Sequence, residues 1–236
     1  MPAAPPVYRH SRVGSTLDTL HELAEAGAVE GTAVVALEQT AGRGRRGHTW
    51  HSPTGGLWLS WLCRPKTPLA AEVLSLRVGL VMAGVLDQLG DVPPVQVKWP
   101  NDVLIGGRKA AGILCEARWQ GGALAWIAVG IGLNVTNPLP ADIAGNATRI
   151  AEYCSDTTPD SILAVLLQEL ESVPGRPPAL SAAELAAFAE RDFLIGRRLC
   201  EPLPGIARGI TPEGALRVEE QNGQMAEVRA GSVELA

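Results

Sequence analysis

Apolar and polar positions change period several times along this chain, and each change marks an element. From Ser15 or Thr16 onward, Leu17, Leu20, Leu23 and Ala24 recur at helical spacing until Gly27, which predicts a short helix. Thr32–Gln39 and Leu57–Leu62 are short apolar runs that predict strands. Ala71–Leu89 carries Val73, Leu74, Leu76, Leu80, Val81, Val85 and Leu89 as apolar positions, which predicts an amphipathic scaffold helix. Val95–Trp99 predicts another strand. Val103–Ile105 and Lys109–Ala117 flank Gly106-Gly107, and Gln120-Gly121-Gly122 leads into Ala123–Val135. Turns this tight make their strands antiparallel, so the fold class is α+β, with a mixed, largely antiparallel sheet and packed helices.

Further helices are predicted from Thr158-Pro159 to about Val173, and from the capping box Ser181-x-x-Glu184 to about Phe193. Beyond Gly196 the texture changes. Short apolar runs alternate with turns, and Gln221-Asn222-Gly223-Gln224 is a hairpin signal. This predicts a small β-barrel of about 40 residues, too small to stand reliably alone. The expected domains are therefore 1–193 and 194–236. The Pro/Ala-rich start, MPAAPPVYRH, is expected to be mobile until about Val7.

Composition narrows the function. With 46% hydrophobic and 19% charged residues, the chain of 236 is globular and not disordered. A net charge of −5 argues against a general nucleic-acid binder. No apolar run approaches the ~18 residues of a membrane span, and no signal-peptide pattern opens the chain. Cys63, Cys115, Cys154 and Cys200 form no CxxC, which suits reduced thiols in a cytoplasmic protein better than disulfides or zinc. Cys115 reads as core. His10, His21, His48 and His51 are scattered and read as non-catalytic.

Positive charge is local. Glu38–Ser60, EQTAGRGRRGHTWHSPTGGLWLS, holds Gln39, Arg43, Arg45, Arg46, Trp50 and five glycines. Like charges this close repel unless something negative sits among them. Gly42-x-Gly44-x-x-Gly47 matches the dinucleotide fingerprint, but Pro53, Gly55 and Gly56 forbid the helix that the fingerprint requires. The plain alternative is a solvated basic loop. The sharper reading is a loop that closes over an acid and a nucleotide phosphate, with backbone N–H groups as an anion nest and a tryptophan as a stacking face.

Two more groups follow. Lys98-Trp99-Pro100-Asn101-Asp102 places a lysine in an apolar strand, where burial needs a partner. Either it forms a salt bridge or lies at an edge, or Lys98 meets a phosphate and Asp102 a magnesium ion. Lys109 opens an otherwise apolar strand and could meet a carboxylate or phosphate. Asn134, in Gly130-Ile131-Gly132-Leu133-Asn134, makes either a structural hydrogen bond or a nucleotide contact. Ser15 and Thr16 are ordinary N-cap residues whose hydroxyls could also face a ligand. No convincing Ser/His/Asp or Cys/His set appears. Cations, glycines, an aspartate and aromatic rings suit adenylate formation, which needs positioning and charge stabilisation more than an enzyme nucleophile.

GRGRRG with a following Trp and Ser-Pro, then KWPND, RK-x-AGIL-x-E and VGIGLNV, in this order, resemble the biotin protein ligases. GITPEGAL in the tail resembles their C-terminal SH3-like domain. The resemblance covers about Ser15 to Ala236. It implies biotin and MgATP as substrates, biotinyl-5′-AMP as intermediate, and a lysine of a biotin carboxyl carrier domain as acceptor. It implies that Ser15, Thr16, Gln39, Gly42, Arg43, Gly44, Arg45, Lys109 and Gly112 bind biotin, with Lys109 and Arg43 catalytic. It implies that Arg45, Arg46, Trp50, Lys98 and Asn134 serve ATP and that Asp102 holds Mg²⁺. Leu17 stands where the family usually has Asn, which removes one polar contact near the ligand. Only 14 residues precede Ser15, so the resemblance implies the monofunctional type without a DNA-binding domain. A homodimer is the family habit, though no residue identifies an interface. The alternatives are a lipoate or octanoate ligase and a non-catalytic biotin-sensing module. The arginine loop is expected to order over the intermediate and shield it from water.

Overall fold

The computed structural model describes residues 4–65 and 71–236. Seven strands form the main sheet: β1 (Val7–Val13), β2 (Ala33–Gln39), β3 (Leu57–Cys63), β4 (Val95–Lys98), β5 (Asp102–Ile105), β6 (Arg108–Gln120) and β7 (Ala123–Leu133). Their order is β1-β2-β3-β7-β6-β5-β4. Only β1 and β2 are parallel, and the other neighbours are antiparallel. The mixed, largely antiparallel sheet is thus as expected. Its hairpins turn on Gly106 and Gly107 (φ 57° and 76°) and on Gly121 and Gly122 (φ 56° and 83°). Positive φ at both central residues matches the twist of the flanking strands.

The strand β1 carries no apolar alternation, being VYRHSRV and mostly exposed. It is an edge strand held by its backbone ladder to β2, and its arginines reach Asp160 at 2.6 Å and Glu38 at 3.5 Å. Sequence periodicity does not detect such an element, because no face of it is buried.

One face of the sheet packs on α2 (Ala71–Asp87), with α3 (Pro159–Leu170) and α4 (Ala182–Arg191) beyond it. The helix α2 is not one-faced as its pattern suggested. Every residue from Val73 to Gly79 is buried, because sheet, α3, α4 and the turn at Gly214 surround it. Arg77, fully buried at its centre, donates to Glu184 at 2.5 Å and to the carbonyls of Pro177 and Ala179 at 3.0 Å each. Glu184 is also the N3 residue of the α4 capping box with Ser181. The other sheet face is covered by α1 (Thr16–Glu25), where Leu17, Leu20 and Ala24 meet Val34, Leu62 and Trp126.

The C-terminal strands are β8 (Arg198–Glu201), β9 (Gly205–Ile210), β10 (Leu216–Glu219), β11 (Met225–Val228) and β12 (Glu234–Leu235). They form an open antiparallel sheet in the order β11-β10-β9-β8-β12. The expected β-barrel is therefore wrong, since β11 and β12 lie at opposite edges and do not pair. β12 has only two residues, both exposed, and β11 alternates exposed with half-buried positions. Neither offers the length or the apolar face that closure needs. Trp99 Nε1 donates to Gly214 O at 2.9 Å and ties this sheet to the main one. All four cysteines are free, and burial pushes the Cys63 thiol up to about 12. Among the described residues no helix is long and apolar enough to cross a membrane.

Candidate active site

Across β6 and β7, Gly112 pairs with Gly132. Their missing side chains leave a floor on which the Trp50 ring lies. A Cβ at Gly132 would sit 2.4 Å from Trp50 Nε1, and one at Gly112 would sit 2.9 Å from Trp50 Cζ3. Farther along β7, Leu17 fills the space above Gly130, where a Cβ would meet Leu17 Cδ1 at 2.9 Å. A cavity of about 500 Å³ opens here, within the usual size of a small-molecule site.

At one end of the cavity α1 begins. Ser15 Oγ accepts from Leu17 N at 3.3 Å, so Ser15 caps the helix, and it also lines the cavity. Gln39 Oε1 accepts from Thr16 N at 2.8 Å and Thr16 Oγ1 at 3.0 Å, while the Gln39 amide donates to Ser52 Oγ at 2.8 Å. Thr16 Oγ1 also accepts from Ser60 Oγ at 2.8 Å. The network fixes the Gln39 amide with oxygen toward α1. Ser52, in the loop, and Ser60, in β3, are members that sequence reasoning missed, and a single serine carries no signal of this kind.

The arginine loop roofs the cavity. Arg43 bridges to Thr49, and Gly44 N donates to His48 O at 2.7 Å. Gly42 is the one candidate that does not line the cavity. A Cβ there would lie 2.5 Å from Trp50 O and 2.6 Å from Ser52 Oγ, so this glycine lets the loop close on itself. Arg46 is the only non-glycine with positive φ (56°) among the described residues, a conformation that costs roughly 1 kcal/mol.

The three arginines point to different partners. Arg43 reaches Glu116 and Asp18. Arg45 Nη1 reaches Asn101 Oδ1 at 3.4 Å and Gly231 O at 3.2 Å, and Arg46 Nη1 reaches Ser232 Oγ at 3.0 Å. Burial lowers the Arg45 pKa, against the pull of Asp102 and Glu72. Lys98 Nζ donates to Val233 O at 3.3 Å. The segment Gly231–Val233 is therefore a strap that three cations of the site hold. The sequence GSV gives no hint of it.

At the far end a β-bulge interrupts the pairing of β5 with β6, so that Val103 faces Ala111 but Leu104 faces Lys109. A bulge re-aims a side chain. Here Lys109 Nζ comes within 2.6 Å of Asp102 Oδ1 and stands 5.1 Å from the centre of the Trp50 ring. Asp102 Oδ1 is buried and accepts no well-aligned hydrogen bond, despite the nearby ammonium. A carboxylate on the cavity wall, 21% exposed, suits a hard cation. No group of three or more His, Cys, Asp or Glu could hold a metal among the described residues, so a dication here would complete its shell with phosphate and water oxygens. Asn134 lies close by and is buried. Its amide donates to Thr148 O at 3.2 Å and its oxygen accepts from Asn137 at 3.1 Å. Asn137 is a further wall residue that the sequence reading did not single out.

Residues 11–134 match the model of the biotin/lipoate A/B protein ligase family, and residues 198–236 match the biotin protein ligase C terminal domain. The chain belongs to the biotin protein ligase family. As a member it is an enzyme, a biotin-activating ligase. The ligase is 33% identical to the bifunctional ligase/repressor BirA of Bacillus subtilis (strain 168), over 96% of its own length and 73% of that protein. It is 35% identical to the biotin–[acetyl-CoA-carboxylase] ligase of Mycobacterium tuberculosis, over 94% of its own length and 86% of that protein. Its structure is similar to that of biotin protein ligase from Aquifex aeolicus in complex with biotin and ATP, with a TM-score of 0.81, 27% identity and 98% of each chain covered. In the ligase, then, polar ends separated by a glycine floor and roofed by arginines form one continuous cavity.

Proposed function

We propose that this ligase joins biotin to ATP in the cavity above Gly112 and Gly132, and then passes the biotinyl group to a lysine of a biotin carboxyl carrier domain. In the first step a biotin carboxylate oxygen attacks the α-phosphorus. The bond to the β-phosphate breaks, and pyrophosphate leaves. In the second, the neutral amine of the acceptor lysine attacks the acyl carbon, AMP leaves, and an amide forms. The observation that carries the reading is the Lys109–Asp102 pair, 2.6 Å apart, at one end of the arginine-roofed cavity.

Each residue has work suited to its position. Ser15, Thr16 and Gln39 present the polar end to the biotin head. Gly112 lines the biotin pocket and, bare of a side chain, seats the Trp50 ring against the sheet, and Gly42 and Gly44 shape the loop above it. Lys109 neutralises the carboxylate and the reacting phosphate, and Arg43 steadies the mixed anhydride. Arg45, Arg46 and Lys98 receive the phosphates once the strap's two carbonyls and the Ser232 hydroxyl are exchanged for them. Trp50 and Asn134 serve the base and sugar side. Asp102 holds magnesium, which when bound supplies charge neutralisation for the leaving pyrophosphate. Free thiols suit a cytoplasmic setting, and a homodimer is the assembly we expect.

ATP–pyrophosphate exchange with biotin, with lipoate and with no acid tests this. Exchange with biotin alone is expected. Exchange with lipoate alone would assign the chemistry to the lipoate branch, and biotin binding without exchange would make the chain a sensor.

A further inference from the structure

Behind the arginine loop lies a second cluster that the reaction above does not use. It contains Arg43, Glu116, Asp18, His21 and Trp126. Gly112, Leu114 and Glu116 are alternate residues of β6, so they share the sheet face that α1 covers. Arg43 Nε and Nη2 each donate to one oxygen of Glu116 at 3.3 Å, and Nη1 donates to Asp18 Oδ1 at 2.5 Å. Three of the five N–H donors of a guanidinium are thus taken, and two remain. Arg43 itself lines the cavity, whereas Glu116 lines only the hollow on the other side of the loop.

The orientation of Glu116 is set from behind. Trp126 Nε1 donates to His21 Nδ1 at 3.0 Å, and an indole nitrogen can only donate. A neutral His21 therefore carries its proton on Nε2, which lies 3.0 Å from Glu116 Oε2. His21 and Trp126 are both buried, so this tautomer is imposed by the core. The His21 hydrogen bond holds the Glu116 carboxyl below the usual range; burial pushes it up, and Arg43 adds to the lowering. The result is a chain of donors and acceptors running from the core to the loop.

We infer that Glu116 is a positioning residue for biotin activation: it anchors the arginine loop through Arg43, with Asp18 as a second anchor and His21 setting its orientation. The anchor leaves two Arg43 donors for an anion in the cavity while the loop spans the roof. This rests on the biotin-activating reading above. The roles of the two carboxylates differ in degree, since the Asp18 side chain is 56% exposed and that of Glu116 only 22%.

Glu116→Gln tests it. A Gln oxygen in the place of Oε2 can still accept from His21 and from Arg43 Nη2, but its NH₂ then faces the Arg43 Nε–H, donor against donor, so the two-oxygen grip on Arg43 is lost. We expect kcat/KM for biotin-dependent exchange to fall about tenfold to a hundredfold, the scale of a misplaced catalytic group. Trypsin should also cut faster after the loop arginines. Asp18→Asn, at an exposed position, should move both readouts the same way by a smaller factor. In an Arg43→Ala background, Glu116→Gln should cost nothing more, because its effect passes through Arg43. Unchanged kcat/KM in Glu116→Gln, or losses that multiply in the double variant, would overturn the inference. Wild-type protein without biotin-dependent exchange would instead overturn the reaction reading. The anchor would then stand or fall on trypsin alone, with equal cleavage of wild type and Glu116→Gln counting against it.

Discussion

Two ion pairs of nearly equal length sit in different parts of this ligase. Arg77 and Glu184 are 2.5 Å apart, with side chains 0% and 10% exposed, while Lys109 and Asp102 are 2.6 Å apart and 34% and 21% exposed. The first pair is surrounded by protein partners. Glu184 also takes the backbone N–H of Ser181 at 2.8 Å and Arg176 at 3.1 Å, and Arg77 takes two carbonyls. The second pair lines the cavity, and its buried Asp102 oxygen has only the Lys109 ammonium beside it. Charge and distance alone do not separate a pair enclosed in the core from one on a cavity wall. What separates them is enclosure: the first pair is packed inside protein, although Arg77 Nη1 still lacks a partner, while the second opens on the cavity.

The sharpest way to break the comparison is to remove one member of each pair. Lys109→Ala should lower kcat for biotin-dependent exchange by about 10²–10³-fold, the typical loss for one group that stabilises developing charge. Its urea midpoint should hardly move, because the pair borders open space. Near-normal turnover in the folded variant would remove Lys109 from the catalytic set. Arg77→Met should do the reverse. It leaves a buried carboxylate short of its main partner, at about 3 kcal/mol of stability, with turnover per folded molecule retained. Urea unfolding at constant m-value checks this, and a loss under about 1 kcal/mol would put the pair among those of surface strength.

Acid and base titration sharpen the contrast with a third carboxylate. Burial pushes the Glu184 carboxyl up, but hydrogen bonds from Arg77, Ser181 and Arg176 outweigh it and hold it at about 2. A folded pKa below the unfolded one (~4.3) means stability that is complete above the unfolded value and lost as pH falls toward 2. Asp192 is the opposite case. Burial raises it to about 6, against the backbone N–H groups of Leu194 and Ile195, and its Oδ2 has no partner. Its contribution is complete below ~3.9 and is lost as pH rises through 6, on the order of 2 kcal/mol. Melting temperatures of Glu184→Gln and Asp192→Asn across pH 3–8 should lose these two opposite slopes. A slope of the same sign at both sites would contradict the assignment.

The smallest effect belongs to an exposed pair. Arg108 and Glu152 lie 2.8 Å apart with side chains 36% and 30% exposed. Arg108→Ala should change stability by under about 1 kcal/mol, and less at high salt. A larger change in urea unfolding would mean that exposure is a poor guide to what a pair contributes here.

Much of the fold was legible. The diglycine turns, the Thr158-Pro159 helix start, the capping box at Ser181, and the runs at Val95 and Lys109 are local signals that produced local elements. Other features were not. The strand Val7–Val13 buries no face, so no periodicity betrays it. The final sheet looked like a barrel because turn-punctuated short strands suit closed and open sheets equally, and only the pairing of β12 with β8 leaves it open. The helix Ala71–Asp87 reads as amphipathic from its apolar positions, yet small and polar residues between them, such as Ser75 and Gly79, are buried as well. In the site, the candidates drawn from motif order, Gly42 apart, line one cavity. The partners of those candidates were invisible, since Arg43 meets Glu116 across 73 positions and Arg45 meets Gly231 across 186.

By itself, then, the sequence determined the elements, the turns between them and the residue types available for adenylate chemistry. Those follow from dihedral preferences and burial periodicity, which act over a few residues. Tertiary structure decided which charges are satisfied and which are left open. That depends on contacts between distant segments: a bulge that brings Lys109 to Asp102, a core tryptophan that dictates the His21 tautomer, and a C-terminal strap that occupies Arg45, Arg46 and Lys98.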